Sequence, residues 1–198
     1  LLKVVAENND EDVYIRHAAV LALSRIGNAD AMVKLVNDKD ESLRLAAVLV
    51  LRKLSDDRIA LFLNDKSEFL VTEAARAIND DYSIEGALPK LATMLATTKF
   101  DNEPLVRRMI NANLRVGGEA SLDRLLTYAN RINISESMKA EALATLGTFA
   151  NPSVLDRVDG RYRGEIKRDI AMVRNKVKPS VSKMLASNNA EVLTAASL

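Results

Sequence analysis

The sequence predicts an all-α fold, a right-handed α-solenoid of about six helical hairpins. Three observations carry that expectation: an internal repeat, apolar residues at helical rather than alternating spacing, and turn chemistry wherever the apolar pattern breaks. Ile15-Arg16-His17-Ala18-Ala19-Val20-Leu21-Ala22-Leu23 aligns with Leu43-Arg44-Leu45-Ala46-Ala47-Val48-Leu49-Val50-Leu51 at a step of 28 residues. Val71-Thr72-Glu73-Ala74-Ala75 keeps the Ala pair after a further 28, with Thr in place of Arg. Looser copies follow at spacings of 25 to 35, so that repeat helices are expected near 12–26, 40–54, 67–79, 103–116, 135–149, 165–176 and 190–198.

Second amphipathic segments lie between these copies, at residues 31–36, 59–63, 87–95, 121–128, 154–158 and 181–185. Each unit therefore reads as helix, turn, helix. Gly27-Asn28, Ser55-Asp56-Asp57, Gly117-Gly118 and Asn151-Pro152 supply stops, while Asn37-Asp38-Lys39-Asp40 and Asn64-Asp65 supply N-caps. A hairpin of this size cannot bury its own apolar stripe, but stacked neighbours share one core. Small side chains allow close approach, so Ala18, Ala19, Ala46, Ala47, Ala74 and Ala75 are expected to be buried between hairpins. Residues 1–198 read as one repeat domain. Because the amphipathic pattern is already under way at Leu1 and still running at Leu198, the expectation is a piece of a longer chain.

The composition narrows function further. With 48% hydrophobic residues, 28% charged residues and a net charge of +1, the chain is suited to a folded core and poorly suited to general polyanion binding. No nucleic-acid partner is expected. The longest fully apolar run, residues 45–51, falls far short of the roughly 20 residues of a membrane span. Zero Cys removes disulfides, thiolate catalysis, cysteine-bound metal and C-x-x-C-H haem attachment from this segment. A single His, His17, leaves no triad or histidine cage and is expected to serve packing or surface. Catalytic residues, metal ligands and cofactors are therefore all expected to be none, and the chain no enzyme.

The stretch Asp12-Val13-Tyr14-Ile15-Arg16-His17-Ala18-Ala19 through Ile26-Gly27, repeated at Glu41-Ser42-Leu43-Arg44-Leu45-Ala46-Ala47, resembles a HEAT repeat, a member of the armadillo-like group of α-solenoids. The resemblance implies a structural ladder between acidic turn residues and an early Arg, matched by Asp12 with Arg16 and Asp40 with Arg44; Thr72 departs from it. More narrowly, Asp101-Asn102-Glu103-Pro104-Leu105-Val106-Arg107-Arg108 with Gly117-Gly118 and residues 152–164 is similar to the HEAT segment of large exported bacterial proteins that join a dehydrogenase-like propeller to a c-type cytochrome domain. That likeness implies a scaffold in the periplasm or outside the cell.

One charged feature exceeds background. Residues 157–183 carry nine cations against three carboxylates, a surplus of +6, whereas the first 99 residues carry −3. Within it, Asp159-Gly160-Arg161-Tyr162-Arg163-Gly164 reads as a protruding, glycine-bracketed loop. Arg157, Arg161, Tyr162, Arg163, Lys167 and Arg168 are the candidate partner-binding residues, since Arg and Tyr grip carboxylates and stack at interfaces. The acidic clusters lack calcium-loop spacing and read as helix caps, and Gly117-Gly118 is a turn without a phosphate-loop motif.

The function expected is a non-catalytic scaffold or protein-interaction domain within a larger chain, its partners being flanking domains or another protein. A stand-alone adaptor using the face formed by the second helices is the alternative. DNA glycosylases and phycobilin lyases, which also use HEAT-like repeats, are the enzymatic alternative, but they call for basic aromatic faces or reactive pockets not evident here.

Overall fold

In a computed structural model, which describes residues 1–184 and Thr194, helices start where side-chain oxygens can cap them. The chain divides into two compact units, Leu1–Leu88 and Pro89–Leu198. The first begins with α1 (Leu2–Asn8), then α2 (Val13–Ile26), started by Asp12, whose carboxylate accepts from the Tyr14 and Ile15 N–H groups. Asn28 caps α3 (Ala29–Val33), which tightens into a 3-10 turn at Lys34–Asn37. Asp40 starts α4 (Glu41–Leu54) by accepting from Ser42 and Leu43 N–H, the same bonds one repeat later. Asp56 opens a 3-10 segment, Asp57–Asn64, and Ser67 caps α5 (Glu68–Asn79), which a turn and a short 3-10 piece, Glu85–Ala87, follow.

The core of this unit is the predicted one in the middle and not at its edge. Ala46, Ala47, Ala74 and Ala75 have no exposed surface and Ala19 is buried, so α4 is enclosed by α2 on one side and α5 on the other. Ala18 departs from the expectation and stands exposed. The reason is positional: α2 packs on α1 and α4, and among the described residues no helix takes the place toward α2 that α2 takes toward α4. The segment at 59–63 is helical but wound as a 3-10 helix. Its three-residue turn brings Ile59 and Phe62 into line, and both are fully buried.

The second unit continues with α6 (Leu88–Met94), α7 (Glu103–Val116), α8 (Gly118–Ala129), α9 (Glu136–Thr148) and α10 (Ile170–Met184). Asn102 and Ser135 cap α7 and α9. Between α7 and α8, Gly117 at φ 75° closes one helix and opens the next. Leu105, Val106, Met109 and Ile110 give α7 a fully buried stripe.

Three expectations fail here. Residues 154–158 form no helix; Leu155 pairs across an isolated antiparallel bridge with Tyr162, because Asp156 N–H donates to Arg161 O and Arg163 N–H to Val154 O. The helix expected at 165–176 begins only at Ile170, since Arg168 N–H is drawn to Ala150 O at 2.8 Å and Asp169 accepts from Ala171 N–H as a cap. Residues 181–184 extend α10, with Pro179 inside it, rather than starting a new element. The segment expected at 190–198 lies outside the described residues, apart from Thr194. Among the described residues, no helix is long and apolar enough to cross a membrane.

Candidate functional site

A groove of about 780 Å³ crosses the first unit, with walls from α2, α4 and the turn after α5. Val20, Leu49, Ala77 and Ile84 make its floor apolar. Tyr14 and Tyr82 line it while remaining 83% and 89% exposed. Several lining residues recur at the repeat step: Leu49 with Ala77, Arg52 with Asp80, Lys53 with Asp81 and Ser55 with Ser83. Of these pairs Leu49 and Ala77 lie on repeat helices, whereas Asp80, Asp81 and Ser83 belong to the turn after α5. Arg52 pairs with Asp81 and ties the end of α4 to the turn beyond α5. Left-handed backbone at Asp81 and Ser83 turns the chain sharply there, and Ser83 Oγ donates to Asn79 O at 2.7 Å. His17 lines the same groove from α2 and is exposed.

The groove was not legible in the pattern: the second helices were the expected face for recognition, but the lining comes from α2, α4 and the turn after α5, and the place of Tyr82 beside it depends on those two left-handed residues.

The ladder residues take two different jobs. Asp12 and Asp40 are spent on capping, so the arginines find other carboxylates: Arg16 pairs with Asp10, and Arg44 with Asp65 in the next hairpin. The Arg44 pair is buried on both sides. Its Nε meets Asp65 Oδ2 at 2.7 Å, and its Nη1 donates to Asp38 O at 2.8 Å. The hydrogen bond to Asp65 raises the Arg44 pKa above its ordinary value, against the opposing cost of burial. Thr72, where the Arg is missing, donates from Oγ1 to Glu68 O in its own helix.

In the second unit the six candidate partner-binding residues separate into a surface and its support. Asp156, with its side chain fully buried, is the hub: it accepts from Asn111 at 2.9 Å, Val158 N–H at 2.8 Å, Asp159 N–H at 3.3 Å and Arg163 Nε at 3.1 Å. Burial alone would raise its pKa, but those hydrogen bonds outweigh it and hold the carboxyl below the usual aspartate range. Arg157 joins Glu141, which Arg107 also pairs. Arg168 is aimed inward: Nη1 donates to Phe149 O and Nη2 to Leu114 O, each at 2.6 Å, with the guanidinium over the Phe149 ring. Burial lowers its pKa from the ordinary arginine value. Left on the surface are Tyr162, 71% exposed beside half-exposed Leu155, together with Arg161 and Lys167.

No family model matches the chain, and no curated protein matches it. Solved structures do. One is described as computationally designed armadillo repeat proteins for modular peptide recognition, at TM-score 0.53 and 18% identity, covering 100% of this chain and 97% of that one. A second is a designed armadillo repeat protein in complex with the peptide (KR)4, at TM-score 0.51 and 16% identity, over 99% of this chain and 88% of the other. An engineered protein matches at 0.50 and 14%, over 99% and 93%. At such identities the likeness speaks for architecture alone, an all-α repeat solenoid like that of the designed armadillo repeat proteins.

Proposed function

We propose that the chain is a non-catalytic protein-recognition scaffold, and that the groove of the first unit seats an extended segment of a partner polypeptide. One observation carries this reading: an apolar floor of Val20, Leu49, Ala77 and Ile84 is flanked by two largely exposed tyrosines, Tyr14 and Tyr82. Exposed Tyr side chains beside an apolar floor supply large contact area at small entropic cost. The peptide recognition described for the designed neighbours is consistent with it.

A displayed library of random peptides tests the reading. Sequences enriched on the parent protein should lose at least tenfold in affinity for a Tyr14→Ala/Tyr82→Ala variant of unchanged helicity. Equal binding to both proteins would move recognition away from the groove.

The wider setting, a scaffold within a larger exported haem- and dehydrogenase-like chain, belongs to the same proposal and gives the bridge region its role. Tyr162, Arg161 and Lys167 are then the contact surface toward a flanking domain or acidic partner. Arg157, Arg163 and Arg168 hold that surface in place. Support comes from an exposed aromatic and apolar pair mounted on a buried, fully bonded carboxylate.

A further inference from the structure

All the charge on α10 is positive: the helix holds Arg174, Lys176, Lys178 and Lys183 and no carboxylate. On one side that charge is already answered. α10 packs on α8, where Lys176 Nζ lies 2.9 Å from Asp123 Oδ1 and 3.8 Å from Glu119 Oε2, two acids one helical turn apart. Arg174 and Lys178, likewise one turn apart, are exposed and make no ion pair among the described residues.

These two cations border a groove of about 490 Å³ between α9 and α10. Its α10 wall is an apolar stripe at helical spacing, Ile170, Val173, Val177 and Val181, and buried Leu143 and Leu146 of α9 face it. Gly147 and Ala150 add no bulk at the far end, so a helix can come close there. No carboxylate lines this space among the described residues, in contrast to the groove of the first unit, where Asp81 answers Arg52. Apolar walls with uncompensated cations at the edge favour an occupant of negative charge and discriminate against a basic one.

We infer that the α9–α10 groove is a second recognition site, which takes an acidic amphipathic helix of a partner protein. The partner's apolar stripe fills the groove, and carboxylates four residues apart on its flank meet Arg174 and Lys178. α8 supplies the pattern within the same unit, since Glu119 and Asp123 meet α10 from that spacing. The stripe from Ile170 to Val181 runs about 16 Å along α10, the length of three helical turns. A space set between two helices receives a row of inserted side chains, whereas a bilayer surface calls for an apolar face that protrudes.

The probe is a synthetic helical peptide with leucines at three- and four-residue spacing and glutamates four apart along one flank; a twin carries lysines in place of the glutamates. The parent protein should bind the Glu peptide at least tenfold more tightly than the Lys peptide. An Arg174→Glu/Lys178→Glu variant of unchanged helicity should reverse that preference. No binding, equal affinity for the two peptides, or a preference that survives the charge reversal would overturn the inference. Because the chain has no native Cys, Val177→Cys reports occupancy directly. Its thiol should label rapidly in the free protein and at least tenfold more slowly with the Glu peptide bound. A thiol already protected in the free protein would show the groove filled by the chain itself or by a second copy, and the inference would fall. Vesicles of phosphatidylcholine and phosphatidylserine in equal parts cover the remaining occupant: binding to them through Arg174 and Lys178 in place of the peptide would assign the groove to a membrane surface and overturn the inference.

Discussion

The two units solve one problem, the docking of short helices, with different chemistry. In the first, side chain meets side chain: Arg44 with Asp65 and Arg52 with Asp81 reach from one hairpin to the next. In the second, ion pairs such as Arg157 with Glu141 are joined by guanidinium groups that meet distant main chain. Arg131 donates to Leu95 O and Ala96 O beyond the end of α6, and Arg168 to Leu114 O near the end of α7. The short helices of the first unit bring carboxylates of the following turn within reach of these arginines, at 21 residues for Arg44 and 29 for Arg52. Where spacing drifts, helix C-terminal carbonyls are left without a regular partner, and a long side chain with five donors can find them from many starting points.

Substitutions can break this comparison, and the largest effect is expected in the regular unit. Ala47→Glu forces an unpaired charge into a site with no exposed surface and should cost more than about 4 kcal/mol in urea unfolding. Parental stability would mean that the hairpins are not closely stacked there.

Removing one partner of a buried pair comes next. Asp65→Ala removes the buried carboxylate that Arg44 pairs with, and Asp156→Ala the buried acceptor shared by Asn111 and Arg163, each at about 3–5 kcal/mol. Asp156 also predicts a pH dependence. Its folded pKa is lowered, so its contribution is fully present above the unfolded value of about 3.9 and is lost as pH falls through the folded value. Chemical unfolding below about pH 4 should therefore show a shallower loss of stability for Asp156→Asn than for the parent.

A smaller effect belongs to Gly117. A Cβ there would lie 2.6 Å from Arg168 Nε, on backbone at φ 75°. Gly117→Ala should cost about 1–3 kcal/mol, combining left-handed strain with displacement of Arg168. Pairing it with Arg168→Ala should give less than the sum of the two single effects, measured as a double-mutant cycle. The smallest effect is Arg161→Ala with Tyr162→Ala, within about 0.5 kcal/mol of parental stability because both are exposed.

Much of the first unit was readable because its signals are local. Asp12, Asp40, Asn28 and Ser67 cap the helices they precede, and the Ala pairs at 46–47 and 74–75 fall in the core. Ala18 shows the limit: its residue type and spacing match Ala46, and only the neighbour differs. The second unit was less legible. Val154, Leu155 and Val158 have helical spacing, but Asp156 between them is drawn to Asn111, 45 residues away, and that bond overrides the local pattern. The six-residue basic candidate set failed to separate surface from support for the same reason, since nothing local to Arg168 announces that it points at Leu114 and Phe149.

The reach of the Asp156 and Arg168 contacts has a kinetic consequence. Asn111 to Asp156 closes a loop of 45 residues and Arg168 to Leu114 one of 54, while Arg44 to Asp65 spans 21. Closing the longer loops costs more chain entropy before any bond is gained, so these contacts are expected to form after the helices have collapsed. Substitutions at Asp156 should then appear mainly on the unfolding limb of a chevron, with a φ-value near zero, and those at Ala47 on the folding limb. The region that displays Tyr162 would be the last part of its unit to assemble and the first to let go.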